Sequence, residues 1–148
     1  MKDVNALEAF EIMKNDPNVI YLDVRSVPEF EQGHPEKARN IPIIDLVPGM
    51  GMVPNPDFTK VVEANIPKDA TILVGCKSGG RSARAIEIMA QMGYQNLTNV
   101  RTGFVGSMDM AGRLTEPGWS MLDLPQCKAC EDAASYENLR TSAVNKLR

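Results

Sequence analysis

Residues 19–24 (VIYLDV) and 70–75 (ATILVG) are short, almost unbroken apolar runs rich in β-branched side chains. A strand with one wet face alternates apolar and polar residues. A run without that alternation has to be covered on both faces, which is the environment of a central strand in a parallel sheet. Parallel strands cannot be joined by tight hairpins, so the segments between such runs must supply crossovers, usually helices.

The intervening sequence fits that demand. Residues 5–15 (NALEAFEIMKN) place Ala6, Leu7, Phe10 and Ile12/Met13 at helical spacing, and Asp16-Pro17 ends the pattern. Residues 28–32 read as a brief helix stopped by Gly33, residues 58–65 as a second helix, and residues 82–92 as a third with Gly93 as its C-cap. Residues 40–42 and 97–100 read as further short strands, and 103–111 as a short helix or turn. Residues 48–56 (PGMGMVPNP) read as loop. The expected fold class is α/β: a central parallel sheet flanked by helices on both faces, with a C-terminal helical extension. The expected domain spans residues 1–125. From residue 126 the chain becomes a tail (126–148) that opens with CKAC and carries an apolar stripe of Ala133, Tyr136, Leu139, Ala143 and Leu147.

At 148 residues, the chain is about the size of one ordinary domain. A net charge of −3 and a pI near 5.2 give no reason to expect nucleic acid or an anionic membrane as partner, so any attraction for anions must be local. No window approaches the ~20 apolar residues of a membrane span. The N-terminus is charged and lacks the apolar core of a signal peptide, which makes a cytoplasmic location the expectation. There are three cysteines: Cys76, Cys127 and Cys130. An odd count without an export signal argues for reduced, chemically employed thiols over a disulfide framework.

Cys76 closes the second apolar run and is followed by Lys77-Ser78-Gly79-Gly80-Arg81-Ser82. A cysteine at a strand's end is most often a small core hydrophobe. This one faces two adjacent glycines, which can take positive φ and let successive N–H groups converge on one point. The helix opening near Ser82 adds its positive end, and Arg81 and Lys77 add charge. Those surroundings favour thiolate over thiol and would bind a small anion beside the sulfur, so the pattern is that of an anion-cradled nucleophile. A metal site is a poor alternative, because only His34 and the distant CKAC offer ligands. No metal and no cofactor are expected.

CKSGGRS resembles the active-site loop of the rhodanese (thiosulfate sulfurtransferase) family, and other signatures follow in order. Leu22-Asp23-Val24-Arg25 with Glu29-Phe30 resembles the family's LDVR…E-F/Y segment. Gly33-His34…Ala38-Arg39-Asn40-Ile41-Pro42 resembles its GH-x-x-x-A-x-N-I-P segment. Val100…Gly103-Phe104…Gly106 with Trp119 resembles the late G-F/Y-x-x-W region, with Ser107 where tryptophan is frequent. The resemblance covers roughly residues 3–124. Lys37 departs from it, standing where glycine is usual, so the turn after His34 is expected to be built differently.

The resemblance implies a sulfurtransferase working by double displacement: Cys76 takes a sulfur from thiosulfate or a persulfide donor and passes it to a thiol or cyanide. Arg81 is the second catalytic residue, stabilising the outgoing anion. Lys77, Ser78, Gly79, Gly80, Ser82 and Arg25 are the substrate-binding candidates. Four residues separate Cys76 from Arg81; relatives acting on phosphate or arsenate carry one more, so the shorter loop favours sulfur. Charged residues at a strand-to-helix junction usually pair and cap, which is the expectation for Asp23 and Glu29, with Arg25 as the exception. His34 reads as a turn residue bonding nearby backbone, with proton donation as its other role. The loop carrying Met50 and Met52 either shapes the pocket mouth or is plain surface.

Two readings of another kind stay open: a non-catalytic rhodanese-like binding module, and a thiol-disulfide or sulfur-relay protein using Cys127 and Cys130. Those two cysteines lie outside the resembling region. The tail helix is expected to dock on the domain or to pair two copies of the chain.

Overall fold

A computed structural model describes residues 1–128 and 134–146. Five parallel strands make the central sheet: β1 (Asp3–Val4), β2 (Ile20–Asp23), β4 (Arg39–Asn40), β7 (Thr71–Gly75) and β8 (Asn96–Val100), in the order β1-β8-β7-β2-β4. The two apolar runs recognised in the sequence are β2 and β7, side by side in register, with Leu22 opposite Val74 and Asp23 opposite Gly75.

Side-chain alternation along these strands feeds two separate cores. Leu22, Val24, Ile72 and Val74 face α3 (Phe58–Asn65), α4 (Gly80–Gln91) and α5 (Tyr136–Lys146), packing with Phe58, Val61, Met89 and Leu139. Tyr21, Leu73 and Val100 point to the other face, onto Ala6 and Ala9 of α1 (Ala6–Asn15), Phe30 of α2 (Val27–Gln32) and Trp119. Both faces of the central strands are therefore dry, which is why those strands carry no polar alternation. Trp119, in a short 3₁₀ turn (Trp119–Met121), meets Phe10 and Tyr21 edge-on and is 1% exposed.

Helix starts follow local chemistry. Asn5 caps α1 and Ser26 caps α2, each completed by a glutamate three residues on (Glu8 and Glu29) that reaches back to the cap N–H. Such caps are each worth about 1 kcal/mol.

Three expectations need correction. Residues 48–56 are not all loop: β5 (Ile44–Val47) and β6 (Gly51–Pro54) pair antiparallel. Pro48-Gly49 turns the chain, with Gly49 at φ 82° and Met50 N–H bonded back to Val47 O, the arrangement of a type II turn. Residues 103–111 likewise enter a hairpin, β9 (Gly106–Met108) against β10 (Leu114–Pro117).

The third concerns the tail, which begins as a strand. β11 (Gln126–Cys127) pairs with β3 (His34–Pro35), held there by Trp119 Nε1–H and Glu36 N–H, both donating to Pro125 O. Of the expected apolar stripe, Tyr136, Leu139 and Ala143 lie against this chain's own core; Ala133 and Leu147 fall outside the described residues. Asn55 fastens the helix by donating to Tyr136 Oη at 3.0 Å.

Lys37 lies in a tight turn, 35–38, after His34. Ala38 N–H bonds to Pro35 O, and Lys37, third in that turn, takes φ 74°, the left-handed conformation a glycine would adopt at no cost.

Candidate active site

In a parallel sheet the strands' carboxyl ends share one edge, and a crossover leaving there presents a helix N-terminus over that edge. Cys76 follows β7 directly, and α4 starts at Gly80, two residues before Ser82. Gly79 makes the early start: at φ 101° it turns the chain, so that Gly80, Arg81 and Ser82 already form the open first turn. A Cβ at Gly79 would lie 2.5 Å from Arg101 O, so the residue is required for space as well as for conformation. The loop is pinned from the next crossover, where Phe104 N–H donates to Cys76 O at 2.8 Å and Val105 N–H to Lys77 O at 3.0 Å.

Cys76 is a free thiol, 2% exposed. Gly79 N–H donates to its Sγ at 3.0 Å, and Ser82 Oγ lies 3.4 Å from it. Between Lys77 and Ser82 only the Gly79 N–H has an acceptor among the described residues; the N–H groups of Lys77, Ser78, Gly80, Arg81 and Ser82 have none. Five donors and a helix dipole at one loop form a ready anion site. Lys77, Ser78 and Gly80 are exposed, while Gly79 and Ser82 are buried.

Arg81 is committed elsewhere. Its two terminal nitrogens donate to Glu29 Oε1 and Oε2 at 2.7 and 3.0 Å. Burial pushes the Glu29 carboxyl up, but hydrogen bonds from Arg81 and Ser26, together with the Arg81 charge, outweigh it and hold the group at about 2. Glu29 thus caps α2 and clamps the cysteine loop at once. Arg81, expected to stabilise the outgoing anion, is here paired with Glu29, and Lys77 is the exposed cation of the loop.

Arg25 is 4% exposed, and its guanidinium bonds both Asp23 oxygens and Gly33 O while covering the Phe104 ring at 4.4 Å. Asp23 and Glu29 pair and cap as their position suggested. His34 Nδ1 bonds Phe30 O at 2.8 Å and its ring stacks on Phe30, the turn-residue reading.

Met50 and Met52 are exposed on the β5–β6 hairpin. The base of that hairpin borders an apolar cleft of about 460 Å³, floored by Ile43, Ile44, Pro54 and Phe58 and opening beside Gly80 and Arg81. Cys127 is in β11, opposite His34, and is disulfide-bonded, so the expectation of reduced thiols holds for Cys76 and is corrected for Cys127; Cys130 lies outside the described residues.

One residue of the site was not singled out from sequence. Asn99 of β8 lies behind Ser82, its Oδ1 2.6 Å from Ser82 Oγ and its Nδ2 3.4 Å from Gly79 O. The available signal was an amide within a strand whose neighbours are buried.

A free cysteine after the middle strand of a parallel sheet, cradled by the N-terminal turn of the following helix, defines a thiol-centred α/β domain. The Rhodanese-like domain model matches residues 6–108, and the chain belongs to that family. Among its relatives, the senescence-associated protein DIN1 of Raphanus sativus is 40% identical over 85 residues, 57% of this chain and 46% of that protein. The chloroplastic thiosulfate sulfurtransferase 16 of Arabidopsis thaliana is 38% identical over 84 residues, 57% of this chain and 69% of that protein. The matched region thus spans about half the length of the first of these relatives. The crystal structure of Rv0390 from M. tuberculosis superposes with a TM-score of 0.72 at 26% identity, covering 87% of this chain and 98% of that one.

Proposed function

We propose that this protein is a sulfurtransferase that carries sulfane sulfur on Cys76. The observation behind the reading is the N–H of Gly79 on the Cys76 sulfur, in a loop whose five other N–H groups have no acceptor among the described residues. A relative named thiosulfate sulfurtransferase supports the substrate class.

In the first half-reaction the Cys76 thiolate attacks the outer sulfur of thiosulfate. A Cys76–sulfur bond forms, the bond to the sulfonate sulfur breaks, and sulfite leaves with the electron pair. The N–H groups of the loop stabilise the departing anion and then the terminal persulfide sulfur, with Lys77 adding charge at the mouth. Arg81 serves by locking the loop to α2 through Glu29. In the second half-reaction a thiolate or cyanide attacks the outer sulfur and the Cys76 thiolate is regenerated. Neither step needs a general base, which suits a site where His34 is held by backbone.

The test is to incubate the protein with thiosulfate, measure intact mass, then add cyanide and follow thiocyanate. Gain of one sulfur atom by the wild type and none by Cys76→Ser is expected. A wild type that never gains sulfur indicates a non-catalytic module, and undiminished turnover by Cys76→Ser overturns the role of Cys76. A Cys127→Ala/Cys130→Ala double variant that loses transfer only to thiol acceptors would make those cysteines the relay. Arsenate or phosphate in place of thiosulfate is expected to give no turnover.

A further inference from the structure

Resting on the sulfur-carrying role proposed for Cys76, we infer that Asn99 is a positioning residue that sets how the Ser82 hydroxyl is shared between the backbone side and the sulfur. Asn99 is 7% exposed and stands in register with Val74, on the sheet face that otherwise packs apolar side chains against α4. An amide at such a position is costly unless both ends are bonded. Here both partners come from the head of α4: Nδ2 faces Gly79 O at 3.4 Å and Oδ1 faces Ser82 Oγ at 2.6 Å.

That orientation dictates the direction of the hydroxyl. Ser82 has one proton to donate and three neighbours: Asn99 Oδ1 at 2.6 Å, Gly79 O at 3.0 Å and Cys76 Sγ at 3.4 Å. Gly79 O already receives Ala83 N–H, and Asn99 Oδ1 is the nearest acceptor. With the proton on Asn99, Ser82 turns a lone pair toward the sulfur, an arrangement that suits a sulfur without negative charge. Once Cys76 is a thiolate, the hydroxyl gains by swinging from Asn99 to Sγ. In the persulfide the charge moves to the outer sulfur, Sγ becomes a neutral divalent atom, and the hydroxyl returns to Asn99. Asn99 therefore favours the loaded protein, whereas the Ser82 proton favours the empty thiolate. The pair adjusts the balance between them without touching the substrate.

The experiment is an equilibrium one. The protein is held at fixed thiosulfate-to-sulfite ratios, and the persulfide fraction is read by intact mass. Asn99→Leu removes the acceptor that the Ser82 proton uses in the loaded state, leaves that proton on the thiolate in the empty state, and lowers the persulfide-to-thiolate ratio by about two- to tenfold, the size expected for one neutral hydrogen bond. Asn99→Asp keeps the acceptor oxygen, strengthens it with charge and shifts the ratio the other way. Ser82→Ala raises the ratio, Ser82→Thr restores it, and in the Ser82→Ala background Asn99→Leu has no further effect. A ratio unchanged in both Asn99 variants, or shifted equally with and without the Ser82 hydroxyl, overturns the inference. If Asn99→Leu does not fold, the opposite shift in Asn99→Asp and its loss in the Ser82→Ala background decide the matter. A wild type that takes up no sulfur would instead remove the proposed function on which this rests.

Discussion

Both terminal nitrogens of Arg81 are held by Glu29, at 2.7 and 3.0 Å, so the loop around Cys76 is tied to α2 by an ion pair more than fifty residues apart in sequence. Glu29→Gln isolates that pair, because glutamine still completes the α2 cap. The folded carboxyl sits at about 2 against an ordinary 4.5, so its contribution is fully present above pH 4.5 and is lost as pH falls toward 2. Thermal melts from pH 7 to 2 should show Glu29→Gln less stable by roughly 1–2 kcal/mol at neutral pH. The gap to wild type should close between pH 4.5 and 2.

The adjacent glycines of the loop should respond in opposite ways. Gly79→Ala drives a methyl into Arg101 O at a φ of 101° and displaces the N–H on the sulfur; sulfur loading measured by intact mass should fall by at least tenfold. Gly80 has open space where a Cβ would stand and begins a helix. Gly80→Ala should melt no lower than wild type, with a gain of up to about 0.5–1 kcal/mol.

Lys77 is the exposed cation at the loop mouth. Lys77→Ala should raise KM for thiosulfate several-fold with little change in kcat, and the difference should shrink as salt rises, since charges open to solvent are screened. Steady-state kinetics at low and high ionic strength checks both points.

Lys37→Gly should stabilise the protein. A left-handed conformation costs a side-chain-bearing residue about 1–2 kcal/mol, while the added freedom of glycine in the unfolded chain takes back about 0.4–1 kcal/mol. The net gain of about 0.5 kcal/mol corresponds to a rise of roughly 1–2 °C in Tm.

Trp119→Ala should cost about 3–5 kcal/mol, because it empties the contact with Phe10 and Tyr21 at the centre of one core. Trp119→Phe should cost far less, losing chiefly the Nε1 bond to Pro125 that holds β11 in place. Denaturant melts of the two variants separate packing from that bond.

Much of this was legible in the chain itself. The unalternating runs at 19–24 and 70–75 name the central strands because burial on both faces leaves no polar position. The order cysteine, glycine pair and helix start marks the site because its N–H groups are local. Local signals also ended the helices to within a residue or two, through Asp16-Pro17, Gly33 and Gly93. What the tertiary structure alone decided are the partners of long reach. Arg25 is covered by Gly33 and Phe104, and Arg81 is paired through both terminal nitrogens with Glu29. Asn99 carried no signal beyond an amide in a strand, and the hairpin at 44–54 and the strand at 126–127 were hidden in segments of weak pattern. A side chain's availability depends on what the fold brings to within 3 Å of it, and spacing along the chain carries that information only for neighbours within a turn or two.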